Sequence, residues 1–191
     1  MNLVTGAVVR AKQGQSVSGD TYVIEPLHDQ SILVSVIDGL GGGEEAARAA
    51  NLAAALYRRQ KHHSLQDLIK QSHAELQSTR GAVVGILRLA LDTGQASYIG
   101  VGNIGIHAYS RRPIKPISKN GILGFRLPTL LELHYTFELG DVFVLYSDGV
   151  STQFTHDSKL DFARPPQELA EHILNAYGKH TDDATVVVVK T

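Results

Sequence analysis

Two apolar runs in this chain end the same way, on an aspartate followed by glycine: ILVSVID closes at Asp38-Gly39 and VFVLYSD at Asp148-Gly149. A carboxylate at the end of a buried strand loses hydration, which is costly unless a cation compensates it. Asp20 opens another strand-like run after a glycine (SGD-TYV), and Asp182-Asp183 opens the last one (TDD-ATVVVV). Taken singly, aspartates are ordinary turn residues. Gathered at one end of a sandwich, they would form an oxygen-only site for hard cations. Gly39 and Gly149 allow close approach of neighbouring backbone, and the Gly39 carbonyl is a further candidate donor.

Composition narrows the chemistry. The 191 residues include no cysteine, so disulfides, thiolate metal sites and cysteine nucleophiles are excluded. Formal net charge is −1, without the basic excess that sequence-independent nucleic-acid or anionic-membrane binding requires. MNLVTGAVVR has no basic segment leading into an apolar stretch, as a secretory leader would. The apolar run Ala82–Leu91 is interrupted by Arg88 and falls short of the ~18 residues of a membrane span. The expectation is one domain over residues 1–191, complete as it stands, cytoplasmic and monomeric, with no membrane or nucleic-acid partner.

Hydrophobic periodicity supplies the elements. Leu3–Ala11, Thr21–Leu27 and Ser31–Ile37 read as strands, rich in β-branched residues and separated by GQSVSGD and HDQ. Glu44–Gln60 begins with acids and ends with bases, as a helix dipole favours, and Leu65–Leu76 is a second helix joined to it by KHHS. Ala82–Leu91, Gln95–Val101 and Ile104–Ser110 read as a meander linked by DTG and GN turns. Arg111–Pro128, rich in Pro and Gly, is expected to be loop, followed by strands at Leu130–Phe137 and Val142–Ser147. Pro166–Tyr177 is the last helix and Ala184–Lys190 the closing strand. Mostly antiparallel strands with helical insertions make an α+β domain, a sheet sandwich flanked by helices.

Other chemistries fit less well. A strand, a Gly-rich turn and a helix also open a dinucleotide-binding unit, but Gly39-x-Gly41-x-x-Glu44 lacks the third glycine. Glu44 and Glu45 would also repel a pyrophosphate at the helix start. Ser147 precedes Asp148 without a G-x-S-x-G elbow, so a serine hydrolase is poorly supported. The nine histidines include no HExxH; His62 and His63 read as solvated, and His107 and His134 as strand residues.

Taken together, SGD (18–20), VIDGLGGG (36–43), VGN (101–103), LGD-VFVLYSDGV (139–150) and DDATVVVV (182–189) resemble, in order and over almost the whole chain, the metal-dependent PP2C-type (PPM family) protein phosphatases. The compact size, the DGLG-type loop and Arg80-Gly81-Ala82 are similar to the stand-alone RsbX-type phosphatases of bacterial stress signalling, relatives of SpoIIE. The resemblance implies an α-β-β-α sandwich of two central antiparallel sheets flanked by helical pairs, with metals in a cleft at one end. Carried onto this sequence, Asp38 would bridge two divalent cations, Mn²⁺ or Mg²⁺. Asp148 and Asp182 would complete one site, Asp20 and the Gly39 carbonyl would serve the other, and Asp183 would stand behind them or act as an alternative ligand. The implied reaction is hydrolysis of phosphoserine or phosphothreonine by a metal-activated water, with Asp38 and Asp148 catalytic through it.

The implied partners are phosphorylated STAS-domain proteins of the stressosome, similar to RsbS and RsbR. The alternatives are a catalytically weak PP2C-like binding module and a small-molecule phosphomonoesterase. Three positions depart from the pattern. Leu40 stands where some relatives carry a histidine acid, and Thr152 where many carry an acid for a further metal. The N-terminal phosphate-gripping arginine has only Arg10 and Lys12 as counterparts. The expected consequence is a slower enzyme that relies on a docked protein substrate. Two further expectations concern the periphery: the helix pair Glu44–Leu76 is a candidate regulatory lever, and Arg111, Arg112, Lys115, Lys119 and Arg126 are candidate docking residues.

Overall fold

The computed structural model describes residues 3–27 and 30–191, and there the strand-rich segments form two antiparallel sheets. The first five strands and two helices follow in chain order as β1 (Val4–Arg10), β2 (Asp20–Pro26), β3 (Ser31–Gly39), α1 (Glu44–Arg59), α2 (Leu65–Glu75), β4 (Ala82–Ala90) and β5 (Gln95–Val101). After them come β6 (Gly105–Tyr109), β7 (Glu132–Thr136), β8 (Val142–Tyr146), α3 (Pro166–Tyr177) and β9 (Ala184–Lys190). One sheet has the order β2-β3-β4-β5-β7 and the other β1-β9-β8-β6. His28 and Asp29 of the expected HDQ turn lie outside the described residues.

Side-chain alternation explains the layers. In β3, Leu33 and Ile37 pack under α1 and α2, whereas Ile32, Val34 and Val36 face the other sheet. In β9, Val187 and Val189 enter that same space between the sheets, while Val186 and Val188 turn outward onto α3. The VVVV run is therefore buried on both faces, each fully buried side chain contributing about 1.5–3 kcal/mol. The resulting order is helix pair, sheet, sheet, helix. The outer side of the second sheet carries α3 and a short 3-10 turn, Thr152–His156, in place of a second long pair.

Local signals set the helix ends. Ser64 caps α2, accepting from the Asp67 N–H at 3.1 Å while its hydroxyl donates to the Asp67 carboxylate at 2.7 Å. The two helices pack through the buried Tyr57–Ser72 hydroxyl pair at 3.1 Å and an Arg59–Glu75 ion pair at 3.0 Å.

One expectation is corrected. Residues 82–110 do not form a single meander: β4 and β5 make a hairpin, but β6 leaves for the other sheet and pairs with β8. A hairpin at Gly102-Asn103 would need a free edge on β5. That edge is taken by β7 along Gln95–Ile99 and, beyond it, by Lys119, which bonds Gly100 O at 3.0 Å and Gly102 N at 2.8 Å. The chain must cross between the sheets at Asn103, which delivers this side chain to the end of the sandwich.

Candidate metal centre

Alternation also predicts where the aspartates point. Asp38 shares a face with Val34 and Val36, so it looks into the space between the sheets. Asp20 is its register partner across the β2–β3 pair and looks the same way. From the opposite sheet, Ser147 follows Phe143 and Leu145, and Thr185 precedes Val187, on the matching inner face. These sets meet: Thr185 Oγ1 donates to Asp20 Oδ2 at 2.9 Å, and the Thr185 N–H donates to Ser147 Oγ at 2.9 Å.

Above this buried layer is an open cleft of about 660 Å³. Asp38, Asp148 and Asp182 line it; Leu40, Val83 and Ile122 supply apolar wall, and Asn103, Asn120 and Arg126 the remaining polar side chains. Asp38 comes from one sheet, and Asp148 and Asp182 flank strands of the other. Asn103 Nδ2 donates to Asp148 Oδ2 at 2.7 Å, holding one oxygen of that carboxylate. Asp182 Oδ1 accepts the Asp183 N–H at 3.0 Å.

Two expected residues stand behind the cleft. Asp20 is 6% exposed and bonded to Thr185. Asp183 is 4% exposed, and its carboxylate accepts the Lys12 N–H at 2.9 Å and the Gly19 N–H at 2.8 Å. It thereby ties the loop before β2 to the start of β9. The glycines of both Asp-Gly steps are needed for packing. A Cβ on Gly39 would fall 2.0 Å from the Ala46 carbonyl oxygen, and one on Gly149 would fall 1.8 Å from that of Asp183.

The electrostatics are those of crowded anions. Burial first, then the charges of Asp20, Asp148, Asp182 and Asp183, push Asp38 from 3.8 up to about 8. Burial likewise raises Asp20 to about 6, against the lowering effect of hydrogen bonds from Ser147 and Thr185. Among the described residues, no three acidic or histidine side chains close on a single point. An open, all-oxygen set suits hard cations that keep part of their water shell.

Several peripheral expectations are resolved. Neither Arg10 nor Lys12 lines the cleft, and the Arg10 guanidinium donates to the Lys179 carbonyl at 3.1 Å. Leu40 does line it. The basic loop is not one patch: Arg112 pairs with Glu138 at 2.9 Å, while Arg126 faces the cleft. Ser97 meets His134 at 3.0 Å, His107 stacks edge-on against Tyr109 at 4.5 Å, and among the described residues no histidine lines the cleft. Asn103 and Asn120 were not singled out as site residues by sequence. The only signal for Asn103 was its place at the end of a strand-like run, in VGN.

The family model for stage II sporulation protein E (SpoIIE) matches residues 28–191. The chain belongs to the SpoIIE family. Among members and relatives of that family, the phosphoserine phosphatase RsbX of Bacillus subtilis (strain 168) is 24% identical over 180 residues, spanning 93% of this chain and 89% of the relative. A solved structure described under the bacterial stressosome, as a modular system adapted to control secondary messenger signalling, matches with a TM-score of 0.91 and 31% identity over 100% of both chains. The crystal structure of RsbX in complex with magnesium gives a TM-score of 0.83 at 21% identity, over 98% of this chain and 94% of that one. The fold is thus shared over 98–100% of this chain. No helix among the described residues is long and apolar enough to cross a membrane.

Proposed function

We propose that the cleft is the active centre of a metal-dependent protein serine/threonine phosphatase. Its substrates would be phosphoserine or phosphothreonine side chains on bacterial stress-signalling proteins, with STAS-domain components of the stressosome as the partners. The observation that carries this reading is that Asp38 from one sheet lines the same cleft as Asp148 and Asp182 from the other, where burial and the neighbouring charges raise Asp38 to about 8. Such a cluster is destabilising by itself and becomes favourable when cations neutralise it. SpoIIE-family membership, the phosphoserine phosphatase relative and the magnesium complex of RsbX support the same assignment.

In this reading Asp38, Asp148 and Asp182 hold two divalent ions, Mg²⁺ or Mn²⁺, with the Gly39 carbonyl as an added donor and Asp20 as a buried anion behind Asp38. Divalent cations held there would neutralise phosphate charge and lower the pKa of a water. The chain's own residues orient and desolvate. Asn103 fixes the plane of the Asp148 carboxylate through the 2.7 Å hydrogen bond. Asp183 fixes the turn that carries Asp20. Leu40, Val83 and Ile122 limit water on one wall of the cleft. We further read the chain as a single catalytic domain, 1–191, acting as a cytoplasmic monomer.

The test is phosphate release from a phosphorylated STAS-domain protein by the purified chain with Mn²⁺ or Mg²⁺, and its loss on chelation. No release beside an active relative as control would refute the assignment.

A further inference from the structure

Arg126 is the one cationic side chain lining the cleft among the described residues, and it comes from the segment between β6 and β7. Three carboxylates line the same cleft, yet none of the described residues gives the Arg126 guanidinium a hydrogen bond or ion pair. An arginine beside acids normally pairs with one, since its planar fork matches a carboxylate. This one is kept apart by the way its loop is held. The Arg126 N–H donates to Ile122 O at 2.9 Å and its carbonyl accepts the Ile122 N–H at 3.0 Å, closing a tight turn.

That turn is docked on both sides. Leu123 and Ala82 exchange backbone bonds of 2.9 and 3.2 Å, and the Gly124 N–H donates to His73 Nδ1 of α2 at 3.1 Å. Leu123 is fully buried in the core beneath the helix pair. Gly39, Ala82 and Leu123 are successive cross-strand partners, which sets the turn about 10 Å from the Asp38-Gly39 step, at ~4.8 Å per spacing. The turn is therefore anchored on both sides, and the exposed Arg126 it carries lines the cleft together with the acids.

We propose that Arg126 is the phosphate-binding residue of the site, taking non-bridging oxygens of a phosphomonoester dianion on the side opposite Asp38, Asp148 and Asp182, with the Asn120 amide beside it. The proposal rests on the phosphatase reading above and adds to it the group that grips the substrate. In this arrangement the acids serve cations and Arg126 serves the anion. The guanidinium has no internal partner to give up when substrate arrives.

The test compares wild type with Arg126→Ala and Arg126→Lys in Mn²⁺, using p-nitrophenyl phosphate as substrate and inorganic phosphate as product inhibitor. Loss of a charge-assisted, forked hydrogen bond should raise KM and the phosphate inhibition constant together by about ten- to a hundredfold. Arg126→Lys should recover part of that loss, because charge returns without the fork. Mn²⁺ affinity by calorimetry and the melting temperature without phosphate should not change. Values within twofold of wild type for both variants would overturn the proposal. A readout without turnover separates it from the reading beneath it: phosphate should raise the melting temperature of Mn²⁺-loaded wild type and not of Arg126→Ala. If wild type hydrolyses nothing, the phosphatase reading fails while this comparison still decides Arg126: an equal phosphate shift in both proteins overturns it, and a shift lost in Arg126→Ala sustains it.

Discussion

Thr185 reaches across the gap between the two sheets to donate its hydroxyl to Asp20 at 2.9 Å, and both residues are almost wholly buried. This bond joins the first residue of β2 to the second residue of β9 at the floor of the candidate metal centre. Replacing Thr185 by Val keeps the shape and removes the donor, leaving a buried carboxylate with one fewer partner. The expected cost is about 1–3 kcal/mol of stability, measured by urea denaturation of the metal-free protein. A change below ~0.5 kcal/mol would mean that the bond makes no net contribution.

Asp38→Asn and Asp148→Asn should each reduce phosphate release by at least about a thousandfold, ~4 kcal/mol of transition-state stabilisation, while circular dichroism stays native. Asp38→Asn carries a second, opposite expectation. Above about pH 8, where Asp38 is ionised, it removes one of the mutually repelling charges, so the metal-free variant should there melt at a higher temperature than metal-free wild type. Full activity in either variant would remove that residue from the centre.

The raised carboxylates give the metal-free protein an unusual pH dependence. Asp38 titrates near 8 and Asp20 near 6 when folded, against 3.8 for the ordinary group. Folded values above unfolded ones mean that their contribution to stability is full below the unfolded value and is lost as pH rises through the folded one. Metal-free melting temperature should therefore fall as pH rises from about 4 to about 8, most steeply below about 6 where both groups contribute. Each kcal/mol lost corresponds to roughly 2–4 °C at this size. Saturating Mn²⁺ or Mg²⁺ should flatten or reverse the trend, because cations replace protons on the same oxygens. Differential scanning fluorimetry across pH, with and without metal, reads both.

Asn103→Ala frees the Asp148 carboxylate from its 2.7 Å partner. If Asp148 holds a cation as proposed, loss of this orienting bond should weaken Mn²⁺ binding by about 10–100-fold and lower kcat in parallel. Asn103→Asp should be worse than Ala, since a further anion faces Asp148. Calorimetric titration of metal into both variants checks the order.

Much of this centre was legible because a strand has a period of two. With ILVSVID as a strand, Val34, Val36 and Asp38 fall on one face, and the structure turns that face toward the other sheet. The same count along β9 brings Thr185 to the inner layer. The terminal Asp-Gly steps and the DD pair marked the right end of each strand. What alternation could not reach were Asn103, Asn120 and Arg126, which lie outside the strands. Their positions depend on β6 joining the far sheet, a choice governed by β7 and Lys119 filling the edge of β5. That competition is settled between segments distant in sequence and leaves no periodic trace. Asp20 and Asp183 carried a true signal of proximity to the site, but burial by Thr185 and by the loop before β2 depends on packing.

The strand order also has a consequence for how the chain is made. β1 lies alone against β9, with Val4 opposite Lys190 and Arg10 opposite Ala184, and β9 is what links β1 to β8. β1 thus has no partner in its own sheet until β9 is added, whereas β6 and β8 pair directly. Pairings across such sequence distances form slowly. Asp182, immediately before that strand, comes into place only with it. A nascent chain can assemble β2 through β5 under its helix pair and still lack the cleft. Closure of the cleft is thereby tied to the β1–β9 pairing, so a chain cut before Asp182 would lack both that layer and one of the three carboxylates of the cleft.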